Sequence, residues 1–219
     1  MKIISACIGA AVIDMIYYIS VCALDSRLKL GLNRDKYFIK SKAVWIVGIF
    51  TALVWIFTGL HPNTMFYTNI PFIIQTMIIM WGMSVLAVTD YYKKIIPNHF
   101  ILMLLAIWAF VVLIGLAVNM NEGLAVLFQS LAGGIAGGVI FLLCYLISRG
   151  QLGAGDVKLA FVLGLYMTGQ RIMGVLVYGI LICCVYSIIQ LLRKKIGMKD
   201  GVALVPFLYI GMLITLIIL

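Results

Sequence analysis

The sequence predicts an all-α fold, a polytopic bundle of about eight transmembrane helices. Three observations carry that expectation. The chain is 65% hydrophobic and only 11% charged, too little polarity for a water-exposed domain. Its apolar runs far exceed the roughly ten residues of a membrane-barrel strand, and backbone groups in lipid must pair within their own segment, which leaves helices. Its loops alternate between basic and nearly uncharged, the pattern of a chain passing back and forth across a bilayer.

The spans fall in order at residues 3–24, 43–60, 70–88, 100–118, 123–147, 157–168, 172–192 and 202–219. The first is too long for the apolar region of a signal peptide, contains Asp14 and has no small-residue cleavage site after it, so it reads as a retained helix. The span 157–168 is short for a full crossing. Between the spans, the first loop carries Arg27, Lys29, Arg34, Lys36, Lys40 and Lys42, and the third carries Lys93 and Lys94. Arg149 and Lys158 flank the fifth connection, and Arg193, Lys194, Lys195 and Lys199 follow the seventh span. Only Lys2 and Arg171 fall elsewhere, so fourteen of the sixteen basic side chains share one side. The positive-inside rule makes that side cytoplasmic. Dropping or merging a span would scatter the basic loops over both sides, so the alternation also supports the helix count. The net charge of +9 is therefore no nucleic-acid footprint, because basic residues flank spans instead of forming a face. The sequence reads as one membrane-embedded domain over residues 1–219, with a short basic cytoplasmic loop at 25–42.

Chemistry concentrates in two acids. Only seven Asp and Glu occur, and an acid at the edge of a membrane helix is a functional candidate because placing it there is costly. Asp90 ends the third span in VTDYYKKIIPNH, and Asp156 lies in QLGAGDVKLA. Pro97 disfavours helix at Ile96 and can pre-set the next helix, while Gly153 and Gly155 let a substrate approach the backbone closely. Taken singly, Asp90 reads as an interfacial acid paired with a nearby lysine, and Asp156 as a cap on a helix beginning at Val157. Both fall on the same side, on different helices, and a carboxylate pair can activate water. The five cysteines lie in apolar runs without a CxxC pair, and only His61 and His99 join them; these favour buried packing cysteines and no metal site. Asp14 and Gln75 read as interhelical hydrogen-bonding groups, and the overlapping GxxxG patterns in Gly133–Gly138 as close helix packing.

Together, Asp90-x5-Ile96-Pro97-Asn98 and Gly153-x-Gly155-Asp156-Val157-Lys158-Leu159 resemble the type IV prepilin peptidases, membrane aspartic proteases of the GxGD kind. The segment Val205-Pro206-Phe207-Leu208-Tyr209-Ile210-Gly211 is similar to that family's last helix, and the resemblance covers roughly residues 70–219. It implies that Asp90 and Asp156 are the catalytic pair, with Gly153, Gly155, Lys158, Pro97 and Asn98 binding substrate or shaping the site. It implies no cofactor, and a prepilin-like partner cut after a glycine at the cytoplasmic membrane face in a bacterial or archaeal membrane. Bifunctional members carry a large cysteine-paired domain after the first helix; here residues 25–42 contain no cysteine, which implies a peptidase without methyltransferase activity, like the short forms serving minimal pilus systems. A homo-oligomer is compatible with all of this. Asp156, at a helix N-terminus, is the expected ionised acid of the pair, with Lys93 and Lys94 as the argument for Asp90 instead. The alternative function is an ion- or proton-coupled transporter using the intramembrane acids. Against it, both acids lie near one surface and no inverted repeat is visible.

Overall fold

The computed structural model describes residues 2–28, 42–60, 70–148, 152–194 and 201–218. Most of the first basic loop, together with Arg149, Gln151, Lys195, Lys199 and His61, lies outside them. Within the described residues the protein is entirely helical: α1 (Lys2–Leu28), α2 (Lys42–Leu60), α3 (Ile70–Lys93), α4 (Asn98–Val118), α5 (Met120–Ile147), α6 (Ala154–Leu192) and α7 (Val205–Ile218). Four stretches are long and apolar enough to cross a membrane, namely Gly9–Leu28, Asn98–Val118, Met120–Ile147 and Arg171–Leu192.

The α6 element is two rods. At Thr168 the backbone takes φ 61 and ψ 174, a conformation costly for a β-branched residue. The chain reverses there. Along α5, Gly133 meets Gly164 and Thr168, while Gly137 meets both Ala160 and Ile172. Ile172 has thus returned to the level of Ala160, so the two arms form a hairpin around one face of α5. Counting the arms separately restores the eight helices expected from the loop charges. The first arm, residues 154–167, is only about 21 Å long at 1.5 Å per residue, which bears out the short reading of that span.

Glycine permits this packing. A Cβ on Gly133 would lie 2.4 Å from the Gly164 carbonyl oxygen, and one on Gly164 would lie 2.2 Å from that of Gly133. Between lipid-embedded helices association rests on close contact, since lipid is as apolar as the side chains. The second α6 arm and α7 use the same device: a Cβ on Gly211 would fall 2.5 Å from the Gly179 nitrogen.

Helix α3 is the hub, touching α1, α2, α4, α6 and α7, and Ile79, Met80, Met83, Val85 and Leu86 are fully buried along it. Hydrogen bonds cross between neighbours: Trp81 Nε1 donates to Ser20 Oγ (3.0 Å), Tyr17 to the Val44 carbonyl (3.0 Å), and Tyr166 to the Leu104 carbonyl (2.7 Å). The Thr51 and Tyr209 hydroxyls join α2 to α7.

Two expectations need correction. The cysteines are not buried packing residues: Cys7, Cys144 and Cys184 are exposed on the outer face of the bundle, and Cys22 and Cys183 are half-buried. Lipid solvates a thiol side chain well enough that nothing drives it inward. At Asp14 the expected interhelical hydrogen bond is missing from Oδ1, which among the described residues is buried without a partner, in a groove between α1 and α2 lined by Tyr17, Tyr18, Val44, Trp45 and Gly48. Gln75 is buried in the bundle.

Candidate active site

The two acid-bearing motifs meet at one end of the bundle. Asp90 does not end α3, as the sequence suggested, but lies inside it. The helix runs past the apolar stretch 70–88 to Lys93 and stops where Lys94 turns left-handed (φ 52) with its N–H on the Asp90 carbonyl (2.8 Å). Four residues later α4 begins. Pro97 is its N-cap, extended at φ −67 and ψ 121, and its carbonyl accepts from Phe100 (3.0 Å) and Ile101 (3.3 Å). The ring stops α3 from running on into α4 and sets the next helix's start.

Asp156 is likewise placed differently from expectation. The helix begins at Ala154, with Gly153 as N-cap, so Asp156 sits at the third helical position instead of capping. Its N–H donates to the Gly153 carbonyl (3.0 Å), and the Gly153 N–H donates back to Asp156 Oδ2 (3.2 Å), the carboxylate half of a capping box. A Cβ on Gly153 would fall 3.1 Å from Asp156 Oδ2, so the glycine leaves room for that side chain.

The motifs touch directly. A Cβ on Gly155 would lie 3.3 Å from that of Ile96, which seats the glycine turn on the segment before Pro97. Lys158 Nζ donates to Asn98 Oδ1 (3.3 Å), both exposed at the rim. Asp90 is 5% exposed and Asp156 half-buried. They are close enough for the charge on Asp90 to act on Asp156. Burial first, and that charge second, push the Asp156 carboxyl up to about 6, against the pull of the Gly153 N–H. Burial also raises Asp90, opposed by the Val205 and Leu204 backbone N–H groups and by Lys94. Two carboxyls so placed titrate as a pair that holds one proton more readily than two isolated acids would.

The structure adds one partner that motif reading did not assign. The Val205 N–H, at the start of α7, donates to Asp90 Oδ2 (3.0 Å). Nothing in the local sequence of either residue announces this bond, since 115 positions separate them. The only signal was the resemblance of the Val205–Gly211 segment to the family's last helix. Among the described residues no three His, Cys, Asp or Glu side chains come together to hold a metal ion.

A multi-pass helical membrane protein that gathers two raised carboxyls at one end of its bundle is the class these features define. The chain belongs to the type IV leader peptidase family: that family's model matches residues 77–188, 112 of the 219 residues, and spans both acid-bearing motifs. It is thus a peptidase of the membrane. No curated protein and no solved structure matches the chain.

Proposed function

We propose that this protein is a membrane aspartic endopeptidase that removes the leader of type IV prepilin-like substrates. It cuts after a glycine at the cytoplasmic membrane face and uses Asp90 and Asp156 to activate water. The observation that carries the reading is the meeting of two carboxyls from different helices at one end of the bundle, inside the region matched by the leader peptidase family. Mechanistically, the ionised carboxylate takes a proton from water as the water oxygen attacks the scissile carbonyl carbon. The protonated carboxyl hydrogen-bonds to, and then protonates, the carbonyl oxygen. Collapse breaks the C–N bond as the proton first taken from water passes to the departing amine and one hydroxyl of the diol returns its proton to the other carboxylate, which restores the starting pair. No covalent enzyme intermediate forms.

The glycines at 153 and 155 keep the backbone beside Asp156 free of side chains, so an extended peptide can lie against it. Asn98 and Lys158 form the rim and Pro97 holds the α3–α4 turn. The whole chain, residues 1–219, acts as one domain in a bacterial or archaeal cytoplasmic membrane. The short loop at 25–42 stands where bifunctional relatives carry their methyltransferase domain. A homo-oligomer is not needed for this chemistry.

The test is co-expression with a short-leader prepilin and mass determination of the product's new N-terminus, at equal membrane abundance of native enzyme, Asp90→Asn and Asp156→Asn. The native enzyme should expose the residue after the leader glycine, and each variant should lose at least about a thousandfold in rate. Full activity in either variant would overturn the pair. A folded native enzyme that cuts none of several prepilins would overturn the substrate assignment.

A further inference from the structure

We propose that the amino end of α7 is the positioning element that keeps Asp90 the ionised, proton-accepting member of the pair, leaving Asp156 to carry the shared proton. The inference rests on the peptidase reading above and adds to it a division of labour between the two acids.

The geometry is a two-point latch. Asp90 Oδ2 accepts the Val205 N–H at 3.0 Å, and the Leu204 N–H also acts on that carboxylate. Just past the end of α3, Lys94 Nζ donates to the Gly201 carbonyl at 2.6 Å. Asp90 near the end of α3 and Lys94 just beyond it thus grip Val205 and Gly201 at the entry to α7. Free N–H groups at a helix start carry partial positive charge, and donors aimed at a carboxylate favour its ionised form. Among the described residues, the groups acting on Asp90 are Lys94, just past the end of its helix, and these donors at the entry to α7, and Asp90 in turn acts on Asp156 from α6.

Asp156 also sits over a helix start, that of α6, yet among the described residues it receives only the N–H of Gly153, at 3.2 Å. Asp90 has two backbone donors and a lysine. Those donors oppose the burial that raises Asp90 and commit its Oδ2 to the protein, whereas Asp156 remains half-exposed. This reverses the choice that helix position alone suggested for Asp156.

Val205 offers a selective test. The Leu204 carbonyl accepts from Phe207 (3.0 Å) and Leu208 (3.1 Å), making Leu204 the N-cap and Val205 the first helical residue. Proline is best tolerated at that position, and what it removes is the N–H. Purified Val205→Pro, Val205→Ala and native enzyme would be assayed in detergent for kcat/KM against pH with a short-leader prepilin. Val205→Pro should move the acidic limb about one unit to higher pH, because the base loses a donor that favours its charged form. Val205→Ala keeps the N–H and should leave the profile in place. Should Val205→Pro not accumulate, Lys94→Gln, which retains a donor but loses the charge, should move the acidic limb in the same direction.

An acidic limb unmoved in Val205→Pro, or in Lys94→Gln where that variant replaces it, overturns the inference. So does a shift confined to the basic limb, which would make Asp90 the proton carrier. Either result leaves the peptidase reading standing. That reading fails separately, on an active Asp90→Asn.

Discussion

At the scale of single residues, the site is expensive to hold. In Asp156 a carboxyl of ordinary pKa 3.8 is pushed up to about 6 by burial and by its neighbour Asp90. The folded form therefore keeps a proton that the unfolded chain has already lost between those values. Below about pH 4 both forms are protonated and no cost arises. As pH rises through 6, the folded form must ionise the group at a penalty, so stability falls with rising pH over that window. Asp156→Asn removes the penalty. Discounted for partial exposure, the gain should be about 1–2 kcal/mol at pH 7.5 and should vanish near pH 4. Thermal unfolding in detergent at both pH values measures it, and an equal gain at both would reject the cause. The variant expected to lose cleavage is thus expected to be the more stable protein. Of this site, the sequence displayed the two acids, the turn proline and the glycines, because each leaves a local signature. It did not display that Asp90 lies within α3, nor its bond to Val205, because those depend on where other helices end.

Among the helices, existence was legible and ends were not. Apolar length marks a span, but a helix continues for as long as its backbone bonds continue. So α3 runs five residues past the stretch 70–88, and α6 starts three residues before Val157. Gly153-Ala154-Gly155 reads as loop by composition, yet two of the three lie within the first turn of α6. The GxxxG run was legible as packing, and its partners are now named: Gly133 and Gly164 lie backbone to backbone at the middle of the α5–α6 hairpin. Alanine at either position would force that contact apart and should cost about 2–3 kcal/mol. Gly115, with nothing within 4 Å of an added Cβ, is the control, and Gly115→Ala should be neutral or gain up to about 1 kcal/mol from helix propensity. Unfolding in detergent compares the three. Equal effects would mean that close approach is not what those glycines provide.

For the whole molecule, the loop-charge pattern and the hairpin at Thr168 agree on eight rods among the described residues, and the direction of crossing has a direct test. In a cysteine-free background, Lys93→Cys at the end of α3 and Asn119→Cys just after α4 place single thiols in the loops on either side of α4. None of the five native cysteines is buried, so replacing them should cost little. An impermeant thiol reagent applied to intact cells should label Asn119→Cys and spare Lys93→Cys, and the reverse pattern would put the two acids outside the cell. The sequence by itself determined that this is a helical membrane protein, the order of its apolar helices, and the two acid-bearing motifs, because apolar length and charge alternation are set residue by residue along the chain. Only the tertiary structure decided that Asp90 comes close enough for its charge to act on Asp156 and that the start of α7 delivers N–H groups to Asp90. Those depend on how closely glycine lets helices approach and on where each helix stops against its neighbours, and such contacts join residues far apart in the chain.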